Sequence, residues 1–252
     1  MNPTERFSSR VENYVKYRPH YPQAVIELLK TECGLNPHSF VADIGSGTGI
    51  LTELFLKSGI SVFGIEPNRE MREAGEKLLH TYSNLKSLEG TAESTGLENK
   101  SVDFITAGQA FHWFNRETAR AEFKRILKPN GWVALIWNDR QTDSTPFLKS
   151  YEELLLTHGP DYRAVNHKQI DEKILEPFFA PNKFRKAVFK NEQRFDLEGL
   201  KGRLLSSSYV PDGGTKLEEM LKALREIYDV HQQGEKVVFE YDTTVFFGQL
   251  DK

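Results

Sequence analysis

The chain of 252 residues is 38% hydrophobic and 27% charged, which suits one α/β domain with an embellishment and a full core rather than two equal domains. Its net charge of −3 comes from 33 basic and 36 acidic side chains with interspersed signs, so no basic stripe neutralises nucleic-acid phosphates, and small molecules or proteins are the expected partners. The single cysteine, Cys33, excludes an internal disulfide framework and a cysteine metal cluster, and no run approaches the roughly 18 to 20 apolar residues of a membrane span, so a cytoplasmic protein is expected.

The first forty residues are rich in aromatics around Arg18-Pro-His-Tyr-Pro22, with Phe7 upstream. Tyr14, Tyr17 and Tyr21 are three and four apart and would share one face of a helix, although Pro19 and Pro22 must end or kink it. Periodicity leaves two readings open here, a lid or a helix docked on the sheet. Residues 25–31 form a short amphipathic helix with Gly34 as its C-cap.

The most informative stretch is Phe40-Val-Ala-Asp-Ile-Gly-Ser-Gly-Thr-Gly49, the end of a buried strand breaking into glycines, followed by a helix over residues 50–57. A dinucleotide fingerprint wants Gly-x-Gly-x-x-Gly, whereas Gly45, Gly47 and Gly49 bring the third glycine one residue early, with Asp43 just before the first. A pyrophosphate gains nothing from that carboxylate, but a ligand carrying an ammonium group does. The next strand, over residues 60–65, ends at Glu66, where an acidic side chain typically accepts hydrogen bonds from ribose hydroxyls. Ammonium plus ribose points to S-adenosylmethionine. Val-Ala-Asp-Ile-Gly-Ser-Gly-Thr-Gly followed by Gly-Ile-Glu-Pro67 resembles the class I S-adenosylmethionine-dependent methyltransferases.

The N-terminal string Tyr14-x-x-Tyr17-Arg18-Pro19-x-Tyr21-Pro22 is similar to the opening segment of the type 11 methyltransferases that include the trans-aconitate methyltransferase-like proteins. That resemblance implies a lid over the cofactor. A helix over residues 68–80 and a strand over 85–88 lead to Glu89-Gly-Thr-Ala-Glu93. At this turn the family usually has an acidic residue followed by Ala-Glu beside the adenine; here Thr91 stands in the acidic place. Its hydroxyl can still accept a hydrogen bond, the backbone at Ala92 can serve regardless of side chain, and Glu93 reads rather as a solvated turn residue. The strand over residues 101–108 ends in small residues, Gly108 last, which would let a ligand lie against its tip. Gln109-Ala-Phe-His-Trp-Phe114 follows and resembles the Ala-x-His-Trp-Phe signature of the same methyltransferases, with buried-core roles for His112 and Trp113 as the alternative.

A helix over residues 116–127, a Lys128-Pro-Asn-Gly131 turn and a strand over 132–137 complete the core, leaving Arg140 at the active end as a candidate for an anionic substrate or a surface charge. Beyond it, helices are predicted over 147–157, 197–206 and 217–230, strands over 184–195 and 236–247, and an irregular stretch over 158–182. Ser206-Ser-Ser-Tyr-Val-Pro211 resembles a family segment bordering the substrate pocket and brings in Tyr209. The expected architecture is one Rossmann-like α/β domain: a seven-stranded, mostly parallel sheet with helices on both faces, an antiparallel last strand and an N-terminal helical lid. Its parts would be 1–35 for the lid and first helix, 36–140 for cofactor binding, and 141–252 for substrate-side insertions and the final strands.

Carried onto this chain, the resemblance implies S-adenosyl-L-methionine held by Tyr17, Asp43, Gly45, Gly47, Gly49, Glu66, Pro67, Thr91, Ala92, Glu93, Gly108, Gln109, His112 and Trp113, with no metal. His112, Arg18 and Tyr209 would face a small-molecule methyl acceptor, with a carboxylate favoured. The rival readings are a methyltransferase acting on a neutral O, N or C nucleophile, a non-catalytic S-adenosylmethionine-binding module, and a nicotinamide-dependent oxidoreductase.

Overall fold

The computed structural model describes residues 11–160, 162, 172–207, 209–211 and 213–250. Seven strands form one sheet in the order β3-β2-β1-β4-β5-β7-β6. They are β1 (Phe40–Ile44), β2 (Ser61–Ile65), β3 (Leu85–Leu88), β4 (Val102–Gly108), β5 (Leu127–Arg140), β6 (Phe184–Phe195) and β7 (Val237–Gly248). β1 to β5 pair in parallel, and β7 runs antiparallel between β5 and β6. Parallel neighbours need crossovers, and helices supply them. α1 (Val11–Tyr17) and α2 (Ala24–Cys33) precede the sheet; α3 (Ile50–Lys57), α4 (Arg69–Leu78) and α5 (Arg116–Ile126) connect its parallel strands. α6 (Pro146–His158), α7 (Glu172–Phe179), α8 (Leu197–Leu205) and α9 (Gly214–His231) belong to the second half.

The apolar runs of the central strands are buried on both faces. Ala42, Ile44, Ile105, Val133 and Leu135 pack with Phe123 of α5 and Phe178 and Phe179 of α7. Val41, Phe104, Ala134 and Ile136 pack on the other side with α2 and α3 through Val25, Ile26, Leu29 and Phe55. A third cluster joins α6, α8 and α9 to Phe239 and Tyr241 of β7. The helices begin where side chains can satisfy their first N–H groups: Asn68 accepts from Met71, Asn115 from Thr118, Thr145 from Leu148 and Asp196 from Gly199. Among the described residues no helix is long and apolar enough to cross a membrane.

Four local expectations change. Tyr14, Tyr17 and Tyr21 do not share a helix face, because α1 stops at Tyr17 and Tyr21 lies in the extended segment beyond Pro19. The side chain of Tyr14 and residues 1–10, including Phe7, lie outside the described residues. β5 is 14 residues long, since its pairing with β4 resumes across a register shift between Val102 and Phe104 and its pairing with β7 continues to Arg140. The stretch expected to be irregular contains α7, whose Leu175, Phe178 and Phe179 are buried; that packing outweighs the internal Pro177. α9 begins at Gly214, three residues earlier than the apolar periodicity indicates.

Glu122 of α5 positions the turn after β3. Thr95 donates to its Oε1 from the backbone N–H at 2.8 Å and from the hydroxyl at 2.6 Å, while Arg125 donates to Oε2 at 2.7 Å. Burial opposes its charge, yet the Arg125 and Thr95 hydrogen bonds win and hold the carboxyl at about 2. Glu122→Gln should therefore destabilise the fold by about 1 to 3 kcal/mol, read as a lower urea midpoint at neutral pH. The difference should shrink as the pH falls below about 4, where the unfolded carboxyl protonates and the stabilisation of the charged form fades.

Candidate active site

The carboxyl ends of β1, β2 and β4 meet at the glycine loop. Gly45 has φ +70° and Gly49 +86°, so both need the left-handed region, and a Cβ on Gly45 would stand 2.7 Å from that of Ala110. The loop uses its own donors. Gly45 and Ser46 N–H both donate to the Ile65 carbonyl, at 2.8 and 3.1 Å, and Gly49 N–H donates to the Ser46 carbonyl at 2.9 Å. Gly47 N–H donates to Glu66 Oε2 at 2.8 Å, and Asn68 N–H to Oε1 at 2.8 Å. No row of N–H groups from Gly45 to Gly49 is thus left to cradle a pyrophosphate. Each Glu66 oxygen retains acceptor capacity, although burial raises its carboxyl above the usual range. Pro67 links the two halves of this clamp, and Arg72 donates to the Glu66 carbonyl at 2.9 Å.

Asp43 does not face the cleft. It is fully buried under the first turn of α3, where Thr52 donates to Oδ2 at 2.6 Å and Thr106 of β4 to Oδ1 at 3.3 Å. Direct contact with a ligand ammonium group is closed off. Burial pushes its carboxyl up to about 6, against the hydrogen bonds from the two threonines.

Other sequence assignments also move. Thr91 Oγ1 accepts the N–H groups of Glu93 and Ser94, at 3.3 and 3.2 Å, and is committed to its own turn. Ala92 is buried beside it. Glu93 is not merely solvated: its Oε1 accepts the Asn115 N–H at 2.8 Å and ties the turn to the start of α5. Gly108 is small for another reason than a ligand, because a Cβ there would lie 2.6 Å from the Tyr21 hydroxyl. Gln109 takes φ +56°, and its Nε2 donates to the Asn138 carbonyl at 3.2 Å. The aromatic cluster splits. Phe111 is in the core, 4.8 Å from Phe178, while His112 and Trp113 are half-buried with rings 4.7 Å apart.

The segment after α1 crosses this edge. Asn138 donates to the carbonyls of Pro19 and His20 at 3.4 and 3.3 Å, Asn191 to that of His20 at 2.7 Å, and Gln193 to that of Tyr17 at 3.3 Å. Tyr17, expected against the cofactor, instead seats its ring on Gly202 of α8 and edge-on to Phe195 at 6.3 Å. Gly202 leaves the space that the ring fills. Arg18 donates to the Ser206 carbonyl at 2.8 Å, and α1 also touches α4.

Arg140 is neither free for a substrate nor a surface charge. It is paired with Glu152, donates to the Tyr162 hydroxyl at 3.0 Å and lies over the Tyr151 ring at 5.1 Å. Tyr209 packs edge-on to Tyr162 at 4.9 Å. Sequence reasoning missed Arg203, buried on α8 among Leu200 and Leu204; a charge within the apolar stripe Leu200-Lys-Gly-Arg-Leu204 was the available signal.

A doubly wound sheet with a ligand edge at the carboxyl ends of β1, β2 and β4, a compact glycine loop and an acidic residue closing β2 defines a Rossmann-like α/β enzyme fold. The family described as a methyltransferase domain matches residues 42–135. The chain is 32% identical over 206 residues to an uncharacterized methyltransferase of Schizosaccharomyces pombe, a match covering 80% of this chain and 77% of that protein. To one of Mycobacterium tuberculosis it is 35% identical over 134 residues, covering 53% of this chain and about half of the relative, 52%. Among solved structures, a protein of Anaeromyxobacter dehalogenans described as a type II methyltransferase superposes with a TM-score of 0.69 at 20% identity, over 94% of this chain and 100% of that one. The YcgJ protein of Bacillus subtilis gives 0.58 at 19%, over 92% and 100%. The chain belongs to the methyltransferase family and is an S-adenosylmethionine-dependent methyltransferase.

The burial of Asp43 has a consequence for pH. Its folded pKa of about 6 exceeds the ordinary 3.8, so its contribution to stability is present below about pH 4 and lost as the pH rises through 6. About two pKa units correspond to a loss on the order of 3 kcal/mol. Asp43→Asn should melt higher than the wild type at pH 7.5, and the two melting curves should converge near pH 4.

Proposed function

We propose that this enzyme transfers the methyl group of S-adenosylmethionine to a small-molecule acceptor, in the manner of the trans-aconitate methyltransferase-like group, with a carboxylate as the favoured acceptor group. The observation that carries the cofactor assignment is the Glu66 clamp. A carboxylate fixed by two backbone N–H groups, with acceptor capacity left over, suits the neutral diol of a ribose, while the N–H groups of Gly45, Ser46, Gly47 and Gly49 are already engaged within the fold. When bound, S-adenosylmethionine supplies a methyl group already activated by its sulfonium. The chain's own residues then have to hold and align.

In this reading Glu66 and Pro67 orient the ribose, Gly45, Gly47 and Gly49 admit the ligand close to the backbone, and Thr91 and Ala92 border the adenine through their backbone. Gln109, His112 and Trp113 line the far wall, and the segment carrying Tyr17 and Arg18 covers it. Asp43 acts from beneath by locking α3 to β1 and β4. Glu93 acts by holding the adenine-side turn. Alignment for in-line displacement supplies up to roughly 7 to 11 kcal/mol of barrier reduction. A carboxylate is ionised at neutral pH, so His112 orients the acceptor with Arg18 and Tyr209 and need not remove a proton.

Isothermal calorimetry checks the cofactor step. Micromolar binding of S-adenosylmethionine is expected, and Glu66→Ala should weaken it about tenfold or more through the loss of charge-assisted hydrogen bonds. Binding of NAD without S-adenosylmethionine would overturn the assignment. The covering segment is checked at Gly202, where a side chain must displace the Tyr17 ring. Gly202→Val should weaken cofactor binding and suppress turnover while the core retains cooperative melting, because a cover belongs to the less stable part of a fold. Unchanged binding would show that the segment is not a cover.

A further inference from the structure

Arg203 is 6% exposed and has no carboxylate against it among the described residues. Its Nη1 donates to the hydroxyls of Ser207 at 3.2 Å and Ser206 at 3.5 Å, its Nε to the Tyr241 hydroxyl at 3.4 Å, and its guanidinium lies 5.9 Å from the Phe239 ring centre. A guanidinium stays charged when buried, and a buried charge is costly unless an opposite charge meets it. The neighbouring Arg140 shows the ordinary solution, because Glu152 neutralises it. Arg203 lacks that partner.

A second orphan lies beside it. Tyr151 is 1% exposed, and its hydroxyl has no hydrogen-bond partner among the described residues. Burial holds its phenol well above the usual range, so it remains a neutral donor, and Arg203 and Arg140 are both close enough to act on it electrostatically. The Tyr151 ring is 4.8 Å from that of Phe239, the same ring that Arg203 overlies. The cluster also adjoins the proposed active site. Gly202, on which Tyr17 sits, directly precedes Arg203, and Arg18 donates to the Ser206 carbonyl at the end of the same helix.

We propose that Arg203 and Tyr151 form a subsite for a carboxylate carried by the methyl acceptor, and that this carboxylate is a handle distinct from the atom that receives the methyl group. One unmatched positive charge on a planar fork suits a planar monoanion. A carboxylate whose oxygens accept from the fork and from a phenol has its lone pairs occupied by donors and is a weakened nucleophile. The methylated atom is then a second group of the acceptor. This deepens the methyl-transfer reading above and rests on it.

The test is calorimetry with acetate, benzoate, succinate, glutarate and their primary amides, run with and without saturating S-adenosylhomocysteine. At least one carboxylate should bind saturably, and its amide should bind at least about tenfold more weakly, as expected when a charged hydrogen-bonded partner is lost. Arg203→Gln should abolish that binding. Tyr151→Phe should weaken it about tenfold while melting no lower than the wild type, since the hydroxyl it removes has no partner to lose. Both variants should keep S-adenosylhomocysteine affinity. If Arg203→Gln fails to fold, Tyr151→Phe and Arg203→Lys carry the test, the latter keeping charge and losing the fork. With labelled S-adenosylmethionine, the diacids should be methylated with a lower KM than the monoacids. The subsite is overturned by the absence of saturable carboxylate binding or by binding indifferent to all three substitutions, and the handle by monoacids turning over as well as diacids. Failure to bind S-adenosylhomocysteine would count against the methyltransferase reading instead.

Discussion

The ligand edge depends on two buried carboxylates at the ends of adjacent parallel strands. Asp43 joins β1 to α3 and β4 through threonine hydroxyls, and Glu66 joins β2 to the glycine loop and to the start of α4 through backbone N–H groups. Burial works against the charge of both. Such a cost persists only where hydrogen bonds and function compensate, and here the return is a loop whose path is fixed before any ligand arrives. Glycine at 45 follows from the path of that loop, because its left-handed turn passes so close to Ala110 that a Cβ has no room.

A buried amide does comparable work on the other side of the cleft. Asn138, near the end of β5, gives its Nδ2 to the carbonyls of Pro19 and His20, accepts from Thr243 of β7 at 2.5 Å, and receives Gln109 Nε2 on its own carbonyl. The extended segment after α1 is therefore held to the sheet mainly through backbone carbonyls, which many side chains at those positions would allow. The segment's aromatic side chains are left to fill gaps over Gly108 and Gly202.

The arginines divide by partner. Arg125 and Arg140 are matched by Glu122 and Glu152 and serve the fold. Among the described residues Arg203 meets hydroxyls and no carboxylate, and a fold gains little from a buried cation without a counterion. A buried charge thus sits beside the apolar cluster of α6, α8 and α9.

The strands, crossover helices and glycine loop were readable in the chain because they rest on local rules: apolar runs for strands buried on two faces, caps for helices, glycines before a helix start. Asp43, Glu66 and the His112-Trp113 turn could be placed at strand ends for the same reason. What the side chains do there was not local. Asp43 points under α3 only because Thr52 and Thr106 come from elements 9 and 63 residues away, and Glu93 turns to Asn115 across 22 residues. Tyr17 left the cofactor edge for a gap made by Gly202, and Arg140 found Glu152 inside the fold. Arg203 gained significance from what is missing around it. The sequence by itself determined the strands and helices, the mostly parallel sheet and which residues stand at the strand ends, since these follow from periodicity and backbone chemistry. Only the tertiary structure decided which charges are matched, because a counterion is chosen by distance in space, and distance along the chain carries no record of it.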